Sequence, residues 1–370
     1  MTPPVQKQTG PPLSLIFTLA AGICGGVIAV LIHAPIPWLL GSLLVTAVLT
    51  GFGLRLAGLP SSLEKWMRVL IGVALGPSVA NSLGGVGVPT LVAVAGSLLT
   101  VVLLTGIGYV FFQRWLKMSR GEAFLSALPG GLSFMMALAD KLQMADKLQM
   151  ADKLKVADRS SRPRIALIHT VRVVSLVLFV SLIAVLLGTD LQKGSLYEWF
   201  HFAVSLQWQW LFLLLVILLS MQVADKLSIA GGHVTIPLVI SSAVYAAGFI
   251  TVPLPQLVIT VAMLVFGCIL GCELGSGPRR EYPKLAGASV LLTAIAFVFG
   301  AVLALTFGGL TGLGFLTLFL ALAPGGIAEV SLVALALGLD VGVIAMIHLC
   351  RFLLIMLIGP LGLYSIDKRR

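Results

Sequence analysis

Charge is scarce in this chain. Only 10% of its 370 residues are Asp, Glu, Lys or Arg, where a soluble domain carries about 25%. That shortfall excludes a soluble globular protein. Metal-ligating residues are sparse too. The five histidines (His33, His169, His201, His233 and His348) are scattered. No carboxylate cluster accompanies them, so no copper or iron site is indicated. The four cysteines (Cys24, Cys268, Cys272 and Cys350) all lie in apolar runs and read as packing residues, not as a disulfide framework. Cys268 and Cys272 are one helical turn apart but lack a third ligand. These absences point away from an enzyme and from a bound metal or cofactor. A long polar module is also missing. The longest polar stretch, 140–164, is too short and too mixed in charge to bind nucleic acid directly. The net charge of +10 therefore marks connecting loops. Ten-residue segments of alternating polarity, the mark of a membrane barrel, are not evident. Nor is a cleavable signal peptide at the polar, Pro-rich start, Met1 to Pro12.

What the chain has is apolar length. Hydrophobic residues make up 59% of it and the mean hydropathy is +1.09. A helix needs about 20 apolar residues to span a bilayer. Twelve apolar segments are legible, near 13–34, 36–57, 66–82, 91–113, 120–139, 163–188, 200–222, 234–250, 255–274, 285–308, 311–338 and 341–364. The expected fold is an all-α polytopic membrane protein.

One motif occurs twice. Residues 127–133 read Ala-Leu-Pro-Gly-Gly-Leu-Ser, and residues 322–328 read Leu-Ala-Pro-Gly-Gly-Ile-Ala. Pro129 and Pro324 are 195 residues apart. Gly72 and Gly267, in a second shared glycine motif, have the same offset. Each Pro-Gly-Gly is followed by His-x-x-Arg: His169 and Arg172 in the first half, His348 and Arg351 in the second. There the offset falls to 179, so the first half holds 16 extra residues. A tandem hexapeptide array at about 139–158, Ala-Asp-Lys-Leu-Gln-Met, accounts for them and reads as a tolerated surface extension. Duplication predicts two transmembrane repeats, 1–190 and 191–370, of six segments each. The match weakens toward the start of each half, where Pro37 to Gly41 has no close counterpart around Pro237.

Loop charge sets the orientation. In the first half the connections 58–68, 114–120 and 140–164 are basic, and 83–90 is not. In the second, 275–284 carries Arg279, Arg280 and Lys284, while 251–256, 308–314 and 338–342 carry no Lys or Arg. Corresponding loops thus have opposite signatures. By the positive-inside rule the repeats are expected to be inverted, with both termini in the cytoplasm. Parallel repeats are the competing reading and would put 140–164 and 275–284 outside. Inverted repeats cross an odd number of times each, so one segment per repeat does not fully cross. The Pro-Gly-Gly segment is the candidate, as a re-entrant hairpin or a broken helix.

Pro removes an amide donor and clashes with the preceding turn, and two glycines open further backbone angles. In hydrocarbon such breaks survive where they line a polar cavity or are buried in protein. Pro129, Gly130, Gly131, Ser133, Pro324, Gly325, Gly326 and Ser331 are therefore candidate substrate-binding residues. His169, Arg172, His348 and Arg351 join them, as an anion site or proton relay. Two alternatives for the arginines are snorkelling and a structural tie to carbonyls of the broken helix. Glu329 is the acidic residue beside a Pro-Gly-Gly, and its counterpart is Phe134. A buried carboxylate suits coupling to H⁺ or Na⁺; a salt bridge to Arg351 or Arg172 is the alternative.

The duplicated Pro-Gly-Gly with its following His-x-x-Arg resembles the bacterial AbrB-like membrane protein family, whose members carry the names AbrB family transcriptional regulator or ammonia monooxygenase. The family is in turn similar to the cation/proton antiporter and anion transporter superfamily. The resemblance implies inverted repeats and broken crossing helices. The expected function is secondary transport of a small solute, an organic anion or amino acid, by alternating access. A membrane-embedded regulator of gene expression is the alternative. The expected partners are membrane lipid, the solute and the coupling ion, and a homo-oligomer is compatible with the sequence.

Overall fold

The computed structural model describes residues 12–34, 36–54, 56, 58–131, 135, 161–186, 208–229, 231–275 and 281–368. The hexapeptide array, Ser133, Phe134 and the boundary between 190 and 191 lie outside them. Thirteen helices and no strand are found among the described residues. They are α1 (Pro12–Leu31), α2 (Pro37–Gly51), α3 (Ser61–Leu83), α4 (Val88–Trp115), α5 (Arg120–Ala127), α6 (Ser161–Leu186) and α7 (Gln209–Leu227). The series continues with α8 (Gly232–Ala246), α9 (Gln256–Gly275), α10 (Tyr282–Thr311), α11 (Phe315–Leu322), α12 (Ile327–Ala336) and α13 (Val341–Lys368). Seven of them are long and apolar enough to cross a membrane. The chain is an all-helical, multi-pass membrane protein.

The offset of 195 runs further than the sequence motifs do. It maps α2 onto α8 and α5 onto α11 end for end, and α3 and α4 onto α9 and α10 within a few residues. The missing likeness between Pro37 and Pro237 has a local cause. Pro37 opens α2, where its absent amide costs nothing, whereas Pro237 lies inside α8. Helix bounds are kept while the residues that set them differ.

Helices exchange partners across the two halves. α2 lies along α9 in parallel, with Ser42 against Gly267, Thr46 against Gly271 and Thr50 against Gly275. α8 lies along α3 in the same way, with Pro237 against Gly72 and Ser241 against Gly76. Glycine at every fourth position lets the backbones approach, the packing favoured where lipid removes the hydrophobic drive. The facing hydroxyls are satisfied within their own helix. Ser42, Thr46 and Thr50 donate to the carbonyls of Trp38, Ser42 and Thr46 at 2.6, 2.6 and 2.7 Å. α4 and α10, which correspond under the offset, run antiparallel: Gly96 packs on Phe307 and Gly108 on Leu292.

Two ends of the molecule follow from the polar contacts. At one, Arg164 donates to both carboxylate oxygens of Glu281 at 2.5 and 2.6 Å, with Glu122 at 3.5 Å. The Arg164 guanidinium holds the half-exposed Glu281 carboxyl below its ordinary range. This end gathers the starts of α5, α6 and α10. At the other, Gly342 packs on Ser78 and Ser82, and the Ser82 hydroxyl donates to Asp340 at 3.3 Å. Asp340 also accepts from the Val343 amide at 3.2 Å, capping α13.

These contacts fix the path of the segment 311–338. It resolves into two short helices, α11 and α12. Before it, Phe307 lies on Gly96 near the start of α4; after it, Asp340 lies at the end of α3. The end of α3 and the start of α4 are joined by a short turn, so both ends of the segment sit at one end of the molecule. The segment turns back at Pro324 to Gly326 and does not cross.

Candidate functional site

The breaks form for a stereochemical reason. A residue before proline is pushed out of the helical region. Leu128, before Pro129, has φ −57° and ψ 124°. Ala323, before Pro324, has φ −63° and ψ 144°. Each half-helix therefore stops with unpaired carbonyls. Leaving one buried and unbonded costs about 1–3 kcal/mol.

The His-x-x-Arg motifs meet those carbonyls. In the first half, His169 Nε2 donates to Leu125 O at 3.0 Å, and Arg172 donates to Ser126 O at 2.7 Å and Leu128 O at 2.9 Å. In the second, His348 Nε2 donates to Leu320 O at 2.9 Å, and Arg351 donates to Ala323 O at 2.6 Å and to Gly325 O. Leu125 and Leu320, and Leu128 and Ala323, are each 195 apart, so two of the three carbonyl contacts recur in both halves, while Ser126 and Gly325 do not correspond. A carbonyl only accepts, so each Nε2 carries the proton. Each Nδ1 then accepts from its arginine, at 2.6 Å in the second half. Cations near a helix C-terminus also complement its dipole. Arg351 lies ten residues into α13, roughly 15 Å along the axis, about half of a ~30 Å hydrocarbon core.

The two breaks touch. A β-carbon on Gly326 would meet the Gly131 Cα at 2.8 Å, and one on Gly131 would meet the Gly326 Cα at 3.5 Å. Beside this contact lies a cavity of about 60 Å³. Both Pro-Gly-Gly turns line it in part, through Pro129, Gly130, Gly131, Gly325 and Gly326. It extends toward the starts of α3 and α8, where Arg68 and Thr235 line it, and its apolar wall includes Phe266, Phe352 and Ile355.

Glu329 also lines the cavity and is 6% exposed. It sits in the first turn of α12, where a carboxylate is favoured by the free amides. Its oxygens lie 3.7 and 3.8 Å from a β-carbon built on Gly131, so the carboxylate faces both breaks. Among the described residues it forms no ion pair. Arg351 is bonded to carbonyls, and Arg68 pairs with Glu64 one turn earlier on α3.

The candidate residues are thus divided. Pro129, Gly130, Gly131, Gly325, Gly326, Glu329, His348 and Arg351 line the cavity. His169 and Arg172 are buried away from it in the first clasp. Pro324 shapes the turn without lining the cavity. Ser331 is fully buried, and its hydroxyl has no hydrogen-bond partner among the described residues. Ser133 falls outside the described residues. Arg68 is the functional candidate that sequence reasoning missed. It read as a loop charge because segment 66–82 was expected to begin near it, whereas α3 begins at Ser61 and carries Arg68 two turns in. The signal was the Glu64–Arg68 spacing of one helical turn.

Fold and site together define a polytopic helical membrane protein in which two helix breaks meet at one buried, partly charged cavity. A family model described as transition state regulatory protein AbrB matches residues 1–151 and 58–366. The chain belongs to that family. No curated protein matches it.

Proposed function

We propose that the protein is a secondary transporter of a small solute, working by alternating access around the two breaks. The observation that carries this reading is the contact of Gly131 with Gly326 beside a cavity that holds Glu329. Irregular backbone and a carboxylate at mid-depth are costly in lipid and mark solute or ion paths. Inverted repeats are part of the proposal. Support comes from the antiparallel course of α4 and α10, and from the clustering of Glu122, Arg164 and Glu281 at one end. Parallel repeats would run α4 and α10 in the same direction. By the positive-inside rule that clustered end is cytoplasmic, together with both termini, in a bacterial inner membrane. The cavity extends toward that end, so the conformation is inward-facing. Glu329 is the coupling residue, binding H⁺ or Na⁺.

Flux into proteoliposomes tests this. Uptake from a panel of organic anions and amino acids, driven by an imposed pH or Na⁺ gradient and uncoupled from it in Glu329→Gln, is the expected result. Absence of flux for every member under both gradients would reject the transporter. The regulatory alternative rests on the family's description, and a regulatory phenotype that persists in a flux-dead variant would favour it.

A further inference from the structure

The charges of the cavity carry a statement about what it holds. Arg351 is engaged with Ala323, Gly325 and His348. Arg68 has one nitrogen on Glu64, and a guanidinium carries five N–H donors, so further donors remain for a ligand. Glu329 faces the same space without an ion pair among the described residues. Arg68 with Glu64 is a neutral pair, and Arg351 with Glu329 balances. With Glu329 ionised the cavity is neutral overall, yet presents one cation and one anion to a ligand. A ligand with a single charge would leave that charge uncompensated in a low-dielectric site, which is costly. A zwitterion would not.

We propose that the solute is an α-amino acid with an apolar side chain, its carboxylate on Arg68, its ammonium on Glu329 and its side chain against Phe266, Phe352 and Ile355. This rests on the transporter reading for its consequence but not for its chemistry. Arg gives a carboxylate two parallel hydrogen bonds, and a buried carboxylate without its own ion pair is the natural partner of an ammonium. The apolar wall excludes a second charge on the ligand. A carboxylate holding the ammonium cannot hold the coupling ion at the same time, so the two are alternate occupants of Glu329.

Calorimetry on the purified full-length protein tests the assignment with L-leucine and L-phenylalanine as probes. The controls are 4-methylpentanoate, which lacks the ammonium of L-leucine, and 3-methylbutylamine, which lacks its carboxylate. The expected result is binding of at least one amino acid, at least tenfold tighter than either control. Arg68→Gln and Glu329→Gln are each expected to lose at least tenfold, with melting temperatures establishing that the variants fold. The wild-type comparison stands even where a variant does not fold. Equal or tighter binding of the carboxylate control, or no binding of either amino acid, overturns the proposal. Flux in proteoliposomes separates it from the transporter reading. Amino-acid binding without flux keeps the assigned ligand and rejects transport, and gradient-driven flux of carboxylates alone keeps transport and rejects the amino acid.

Discussion

At the scale of the residue, the two arginines in the middle of the membrane are helix caps before they are anything else. Arg172 and Arg351 each meet two carbonyls left by a proline break, and a hydrogen bond to a charged group is worth roughly 1.5–3 kcal/mol. Arg172→Met and Arg351→Met are each expected to lose on the order of 2–4 kcal/mol, read as a lowered melting temperature in detergent. Arg172→Met keeps ligand affinity, because Arg172 does not line the cavity. Gly326→Ala is expected to abolish transport, since its new methyl meets the Gly131 Cα and the Glu329 carboxylate. Gly308→Ala, whose methyl meets nothing, leaves transport unchanged and gains up to about 1 kcal/mol of helix propensity. Much of this site was legible. Pro and Gly declare a break locally, and a second copy at an equal offset removes coincidence. The clasp was legible only as one alternative, because which carbonyl an arginine reaches depends on the packing of α6 and α13. Arg68 was hidden by the helix start. Position 68 reads as loop or membrane according to where α3 begins; Gly58 and Pro60 mark that start just before Ser61, but the charges of Glu64, Lys65 and Arg68 read as a connecting loop and outweighed it.

At the scale of the element, the paired seams α2 with α9 and α3 with α8 hold the two halves together. Gly271→Val is expected to cost about 1–3 kcal/mol by overpacking, because its side chain meets Leu43 O and the Thr46 hydroxyl. A fall in melting temperature checks this, and the exposed Gly287 is the control. The tie between α6 and α10 responds to acid. The Glu281 carboxyl is held below its unfolded value of about 4.3 by Arg164. Its contribution is present above that value and is lost as pH falls through the lower folded pKa. Melting temperatures followed from pH 6 downward should drop less for Glu281→Gln than for the wild type, with the difference confined to pH below about 5. None of these seams was named from sequence. The glycine motif at 72 and 267 was seen as evidence of repetition, but its partners, Pro237 and Ser42, lie in the half it does not belong to.

At the scale of the whole molecule, topology is the claim with the sharpest test. Lys117 lies in the loop between α4 and α5, and Gly314 in the corresponding loop before α11. In a background with all four cysteines replaced, Lys117→Cys should react with an impermeant thiol reagent only from the cytoplasmic side, and Gly314→Cys only from the other. Labelling of both from the same side would overturn the inversion. The class of fold was legible from composition alone, since too little charge leaves no alternative to lipid as solvent. The equivalence of α2 and α8 was not, because a helix can keep its bounds while its prolines move.

The inequality of the halves has an energetic consequence. In an inverted duplication, the inward-facing and outward-facing forms are the same structure with the roles of the halves exchanged. Identical halves would make the two forms equal in energy. Here Glu329 stands opposite Phe134, and Arg68 stands opposite Met263. In the proposed transporter the exchange is then not between equals, so the empty protein is expected to have a preferred facing, and bound solute or ion to have that preference to work against.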